Sequence, residues 1–222
     1  MRPPSALVID LDGTLVDTVP TRIQAWASAL RAAGFRVDRR RIGSLIGMDG
    51  RRLVREIAAG EGRFVTDDEA EEVELLAGRQ YDLVNVDPRP LPGARGLLKL
   101  SADPRIPWVI ATSSRADQAR VSLAALQLSP SGPLIVDGDG VMHAKPAPDL
   151  LLRAAEMLGV SSLGCWCIGD SIWDIRAATA AGMSPVGVTT GATLEADLVR
   201  AGARAVVPSL ANVVEHLADR GD

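Results

Sequence analysis

Short, unbroken apolar runs recur along the chain, and each stops abruptly at polar or turn-forming residues. Ala6-Leu7-Val8-Ile9 runs straight into Asp10-Leu11-Asp12-Gly13-Thr14. Trp108–Ala111, Leu134–Val136, Cys165–Ile168, Val186–Val188 and Ala205–Val207 behave alike. Such runs, bounded by turn signals, read as buried strands. Helical patterns lie between them, near residues 93–101, 115–127, 147–158, 172–181, 194–201 and 210–218. Apolar strands alternating with helices predict a parallel sheet covered on both faces, an α/β fold.

The stretch from residue 16 to residue 90 is different, because no strong strand signal appears in it. Helical patterns fall at 21–34, 50–60 and 67–86. In the first, Ile23, Trp26, Ala27 and Leu30 follow the spacing of one helix face. In the third, Thr66, Asp67 and Asp68 are candidate caps. Pro88-Arg89-Pro90-Leu91-Pro92-Gly93 reads as a linker, stiffened by proline and turned at Gly93. The chain is therefore expected to carry a helical insert within an α/β core. The core comprises residues 1–15 and 92–222, and the insert residues 16–91. Arg39-Arg40-Arg41 reads as a solvated face.

Composition narrows the setting. The 222 residues are 47% apolar and 23% charged, which is ordinary for a soluble globular chain. A chain of this size buries roughly 70% of its unfolded surface and needs no disulfide. No apolar run reaches the ~18 residues of a membrane span. The first apolar stretch is too short for a signal peptide, so a cytoplasmic protein is expected, as monomer or homodimer. A net charge of −4 argues against non-specific nucleic-acid binding. Cys165 and Cys167 share one strand face. No further cysteine completes a metal site, so they read as small buried apolar residues. Of 24 basic residues, only Lys99 and Lys145 are lysines.

Alternate residues of an extended chain face one side, so Asp10 and Asp12 can converge on one point. Two carboxylates held together imply a cation, a shared proton or divided acid–base roles. Ligands of open α/β folds bind beyond the carboxyl ends of the strands. Thr112-Ser113-Ser114-Arg115 falls at one such end, and Gly169-Asp170-Ser171 with Asp174 at another. Lys145 precedes Pro146-Ala147-Pro148-Asp149, where Pro148 suits a helix's first turn. Each residue alone has a plain explanation as turn, helix cap or surface charge. Together, acids and hydroxyls at three strand ends point to a site.

These motifs resemble those of the haloacid dehalogenase superfamily, in its phosphatase and phosphomutase branch with a helical cap. Asp10-Leu11-Asp12-Gly13-Thr14 is similar to the first motif and Ile110-Ala111-Thr112-Ser113 to the second. Lys145-Pro146-Ala147-Pro148-Asp149 is similar to the third and Gly169-Asp170-Ser171-Ile172-Trp173-Asp174 to the fourth. Leu15-Val16-Asp17-Thr18 and Ala178-Thr179-Ala180-Ala181-Gly182 also look like those of phosphoglycolate phosphatases and β-phosphoglucomutases. The resemblance implies a Rossmann-like core with an all-helical cap, acting on a small phosphorylated metabolite.

It also implies roles. Asp10 would be the nucleophile that forms an aspartyl phosphate. Asp12 would protonate the leaving oxygen and then take a proton from water. Asp10 must then be ionised while Asp12 starts protonated. Mg²⁺ would be held by Asp10, the backbone carbonyl of Asp12, and Asp170. Asp174 would stand behind them, with direct ligation the alternative. Thr112 and Ser113 would hydrogen-bond the phosphoryl oxygens, and Lys145 would offset the negative charge.

Branches of the family separate on single residues. Haloacid dehalogenases lack an acid where Asp12 stands. Phosphonatases need a cap lysine, and residues 16–90 contain none. A phosphomutase would need the cap to grip a second phosphate, for which Arg51 and Arg52 are candidates; a solvent-facing helix start is their alternative. A catalytically silent scaffold would lack a core residue, and none is missing. His143 and His216 read as structural or exposed.

Overall fold

The computed structural model describes residues 2–100, 106–128 and 132–218. Ala6–Ile9 forms β1, followed by a two-residue strand β2 (Val16–Asp17) and helices α1 (Val19–Ala32), α2 (Arg39–Gly43), α3 (Gly50–Gly60) and α4 (Asp67–Val84). The chain returns through β3 (Arg89–Pro90) to α5 (Ala94–Leu100), β4 (Trp108–Ala111), α6 (Ala116–Ala125) and β5 (Leu134–Val136). It closes with α7 (Asp149–Met157), β6 (Cys165–Gly169), α8 (Ile172–Ala180), β7 (Ser184–Val188), α9 (Glu195–Ala201), β8 (Ala205–Val207) and α10 (Leu210–Ala218). The helix expected near 93–101 ends at the last residue before an undescribed stretch, so position 101 lies outside the described residues.

The six-stranded sheet runs β5-β4-β1-β6-β7-β8, all parallel. Strand alternation divides it cleanly. Leu7, Ile9, Trp108, Ile110, Trp166 and Ile168 pack on one face, with α5 and α10 residues. Ala6, Val8, Val109, Ala111, Cys165 and Cys167 pack on the other, against α7 and α8. Both cysteines are buried and unpaired. Ile9 stands opposite Ile110 of β4 and Ile168 of β6. That register brings the carboxyl ends of β1, β4 and β6 level, so their following residues share one rim.

Helices α1 to α4 form a second apolar cluster with Trp26, Leu30, Leu53, Val54 and Val73 at its centre. Trp173, from α8 beside the sheet, belongs to this cluster too. Thr66 and Glu69 cap α4 reciprocally, as the Thr-Asp-Asp start promised. Three elements went unforeseen. Strands β2 and β3 pair antiparallel, Val16 with Pro90 and Asp17 with Arg89, where the chain passes between the two clusters. Two residues carry no periodicity to read, and proline is tolerated in an edge pair. Helix α2 has only five residues and rests on Asp38, whose carboxylate accepts from the Arg40 and Arg41 amides at 2.9 and 3.1 Å. Its arginines are exposed, as a solvated face requires. Gly93 has a φ of +87°, and a Cβ there would fall 2.0 Å from the Ala211 nitrogen. The linker turn therefore needs glycine.

Among the described residues, no helix is long and apolar enough to cross a membrane.

Candidate active site

The strand ends converge as the register dictates. Asp10 follows β1, and its amide donates to the Ile168 carbonyl of β6 at 2.9 Å. Lys145 reaches in from the loop before α7 and is only 1% exposed. Its ammonium donates to Asp10 Oδ1 at 2.6 Å and to the Ala111 carbonyl at 2.9 Å. It also lies 2.7 Å from Asp174 Oδ1. Asp170 follows β6 and accepts from Thr14 Oγ1 at 2.9 Å. The cap of α8 is Ser171, paired reciprocally with Asp174, so Asp170 is free of capping duty. Carboxylate oxygens of Asp10, Asp170 and Asp174 lie within 4.8 Å of one another, all three residues buried.

Backbone geometry crowds this cluster into place. Gly13 has a φ of +87°, and a Cβ there would come 2.6 Å from Asp170 Oδ2. A Cβ on Gly191 would come within 1.7 Å of the same oxygen. Thr190 Oγ1 donates to the Gly13 carbonyl at 2.6 Å, tying the two walls together.

Three carboxylates share a single ammonium, and the electrostatics register the deficit. Burial pushes the Asp10 carboxyl up to about 7, against the pull of Lys145. Burial, with Asp174 adding repulsion, holds the Asp170 carboxyl well above the usual range. Burial alone would lower the Lys145 ammonium, but Asp10 and Asp174 outweigh it and raise it, so it stays charged. A buried, electron-rich set of hard oxygens fits a divalent cation.

This arrangement places a carboxylate beside a buried lysine and an acidic cluster at the rim of a parallel sheet, beneath a helical insert. Residues 4–182 match the haloacid dehalogenase-like hydrolase family. The chain belongs to that family. It is 34% identical over 189 residues to a phosphoglycolate phosphatase of Neisseria gonorrhoeae, covering 84% of this chain and 80% of the relative. It is 32% identical over 184 residues to a fructose-1-phosphate phosphatase of Escherichia coli, covering 83% and 96%. A solved hydrolase from Pseudomonas syringae superposes with a TM-score of 0.92 at 34% identity, covering 98% of this chain and all of that one (100%).

Within this haloacid dehalogenase-like hydrolase, Asp12 stands apart from the acidic cluster. Its Oδ2 accepts from Arg22 Nη2 at 2.8 Å and from Ser114 Oγ at 2.7 Å. Its Oδ1 accepts from Thr18 Oγ1 at 2.6 Å and Tyr81 OH at 3.3 Å. Burial would raise the Asp12 carboxyl, but Arg22, Thr18 and Ser114 more than offset it, so it is held below its ordinary value. With Lys145 as its cation, Asp10 is still raised by burial, so Asp12, paired with Arg22, is the more acidic carboxyl.

The hydrolase's cavity opens between core and insert, with Asp10, Asp12, Thr112 and Ser113 on its core side. Thr112 is buried, and its hydroxyl accepts from the Ser114 amide at 3.1 Å, shaping the loop. Ser113 Oγ donates to the Gly47 carbonyl at 3.1 Å, and the Asp49 amide donates to the Lys145 carbonyl at 3.0 Å. The insert therefore rests directly on the loops that carry the site.

Arg51 and Arg52 do not join them. Arg51 faces Asp49 and Glu71, each at 3.8 Å, and Arg52 faces Glu56 at 3.9 Å. Neither lines the cavity. His143 is exposed and lies 3.1 Å from Asp149, while His216 stacks on Trp166. Lys99 is exposed. Sequence reasoning missed Arg22, Tyr81 and Gln118, and placed Ser114 at a strand end without a role. Arg22 had a readable signal: it precedes Trp26 by four positions, which puts it on the buried side of α1.

Proposed function

We propose that this protein is a Mg²⁺-dependent phosphatase of a small phosphorylated metabolite, similar in reaction to a phosphoglycolate phosphatase. The observation that carries the reading is Lys145 wedged between Asp10 and Asp174, with Asp170 beside them and Asp12 held outside the cluster. Asp10, Asp170 and the carbonyl of Asp12 would hold the cation, with Asp174 behind them. Mg²⁺ bound there supplies the positive charge that lets a phosphate dianion approach an ionised Asp10.

The residues of the chain then divide the work. An Asp10 carboxylate oxygen attacks phosphorus, the phosphorus–oxygen ester bond breaks, and the departing alkoxide takes a proton from Asp12. Water next attacks the aspartyl phosphate while Asp12 takes its proton, releasing phosphate and restoring Asp10. The second half needs Asp12 as it stands, ionised. The first half needs it protonated, which release from Arg22 permits. Thr112 and Ser113 donate to the phosphoryl oxygens, and Lys145 holds Asp10 in line.

Residues 16–91 act as a cap that opens through the chain crossings near 15–17 and 88–92 and excludes water on closing. A reducing, cytoplasmic setting suits the two unpaired cysteines. A phosphomutase needs a cationic grip for a second phosphate. The outward pairing of Arg51 and Arg52 favours hydrolysis instead. The test is a phosphate-release screen over phosphorylated metabolites with and without Mg²⁺. Mg²⁺-dependent release is expected. Conversion of β-glucose 1-phosphate to the 6-phosphate without release would replace this reading with the mutase.

A further inference from the structure

The cavity also carries Gln118 and Glu74, polar groups that the proposed chemistry leaves unused, around the Arg22 that holds Asp12. Arg22 lines the cavity with its side chain 10% exposed, its Nε buried. Gln118 accepts from Arg22 Nη1 through Oε1 at 3.3 Å. Gln118 Nε2 lies against Gly78 of α4, where a Cβ would come within 2.5 Å of it. Glu74 lines the cavity from the same helix, and a Cβ on Gly50 would come within 2.5 Å of Glu74 Oε1. Two glycines of the insert thus leave room for two polar side chains. Trp26, Met48 and Leu53 add an apolar wall.

Charge decides what these groups can accept. Among the described residues that line the cavity, Arg22 is the one cation, and Asp12 already neutralises it. Glu74 adds a negative charge, which Arg115 offsets only from 3.4 Å while it also serves Glu71. A carboxylate or second phosphate on the departing alcohol would meet Asp12 and Glu74 with no free cation to receive it. Hydroxyl groups suit the same surroundings. They can donate to Glu74 and accept from Gln118 Nε2, which Arg22 Nη1 holds in place through Oε1.

We propose that Arg22, Gln118 and Glu74 form a leaving-group subsite that selects phosphomonoesters of uncharged polyols over those bearing a second anion. This rests on the phosphatase reading and narrows its substrate class. Glu74 is the specificity-determining residue, because its charge rejects anions and its oxygens accept hydroxyls.

The test measures kcat/KM for phosphate release with Mg²⁺ from erythritol 4-phosphate, 2-phosphoglycolate and p-nitrophenyl phosphate. Wild type should favour the polyol ester over phosphoglycolate by at least about tenfold, toward the lower end of the cost of a buried polar group left unpaired. Glu74→Gln keeps the shape and removes the charge, so it should narrow that ratio severalfold by raising the phosphoglycolate rate. Gln118→Leu should lower the ratio of polyol ester to p-nitrophenyl phosphate. A wild-type preference for phosphoglycolate, or ratios unmoved in both variants, overturns the subsite. Absence of release from every ester, p-nitrophenyl phosphate included, overturns the phosphatase reading itself.

Discussion

Arg22 Nη2 lies 2.8 Å from Asp12 Oδ2, and this one pair joins the first helix of the insert to the loop after the central strand. Both side chains are about nine-tenths buried, at 10% exposure each. The guanidinium also lies over the Tyr81 ring, 3.8 Å from its centroid, and donates to Ser114 Oγ at 2.6 Å. The carboxylate proposed as acid and base is thereby positioned by a residue of the insert.

Removing that partner should be costly. Arg22→Met leaves Asp12 as a buried charge without its cation, for which about 3–5 kcal/mol of stability is expected to be lost. Arg22→Lys restores charge without the planar fork and should recover only part of it. Urea denaturation of the three proteins measures this. Equal midpoints would mean the pair holds nothing.

Asp10→Asn should reduce phosphatase turnover to background while the fold persists, because the amide oxygen still accepts from Lys145. Activity read alongside a thermal melt separates the two effects. Substantial turnover in this variant would take the nucleophile's role away from Asp10.

The two lysines should part company sharply. Lys145→Ala strips the acidic cluster of its only ammonium and should lower activity by orders of magnitude, with a stability loss of about 3–5 kcal/mol. Lys99 is exposed, and Lys99→Ala should be nearly silent in both measurements. Similar losses in the two variants would erase the distinction drawn between them.

Protons and a cation should compete for the acidic cluster. Burial raises Asp10 from 3.8 to about 7, so between those values the folded state binds the proton that the unfolded state has released. This group's contribution to stability therefore falls as pH rises through that window, and Asp170 acts in the same direction. A divalent cation displaces those protons. Mg²⁺ should raise the melting temperature more at about pH 8 than at about pH 5. Thermal melts at both pH values check this, and a larger shift in acid would contradict it.

Gly191→Ala should act on metal affinity through Asp170. The added methyl would fall 1.7 Å from Asp170 Oδ2, so the carboxylate must swing away. A loss of roughly 10–100-fold in Mg²⁺ affinity is expected, the scale for a disturbed ligand support. Titrating the Mg²⁺-dependent melting shift reads it independently of turnover.

Much of this was legible before any coordinates. The apolar runs fixed the strands, and the polar residue after each named Asp10, Thr112 and Asp170 as neighbours once the sheet was taken as parallel. Lys145 stood out because lysine is scarce in this chain. Other features needed three dimensions. Strands β2 and β3 are too short to carry a period. Arg51 and Arg52 lie beside the right loop, but their acidic neighbours on α3 and α4 turn them outward. Arg22 looks like a helix-surface charge until Tyr81 and Gln118, nearly a hundred residues apart from it at most, close around it. Local pattern reports which face of a helix is wet; it does not report which partner arrives to dry it.

Trp173 grows from α8, the helix that begins at the acidic cluster, yet its ring is packed among the apolar residues of the insert. Its indole nitrogen donates to the Ser44 carbonyl at 3.3 Å, and Arg176 lies over its face at 5.1 Å. Lifting the insert cleanly away would wet that ring, at a cost on the order of 2–3 kcal/mol. If the insert opens as proposed, it would therefore rock about this greased contact rather than lift from it. Trp173 immediately precedes Asp174 in the chain, so such a swing and the seating of Asp174 would share a bearing.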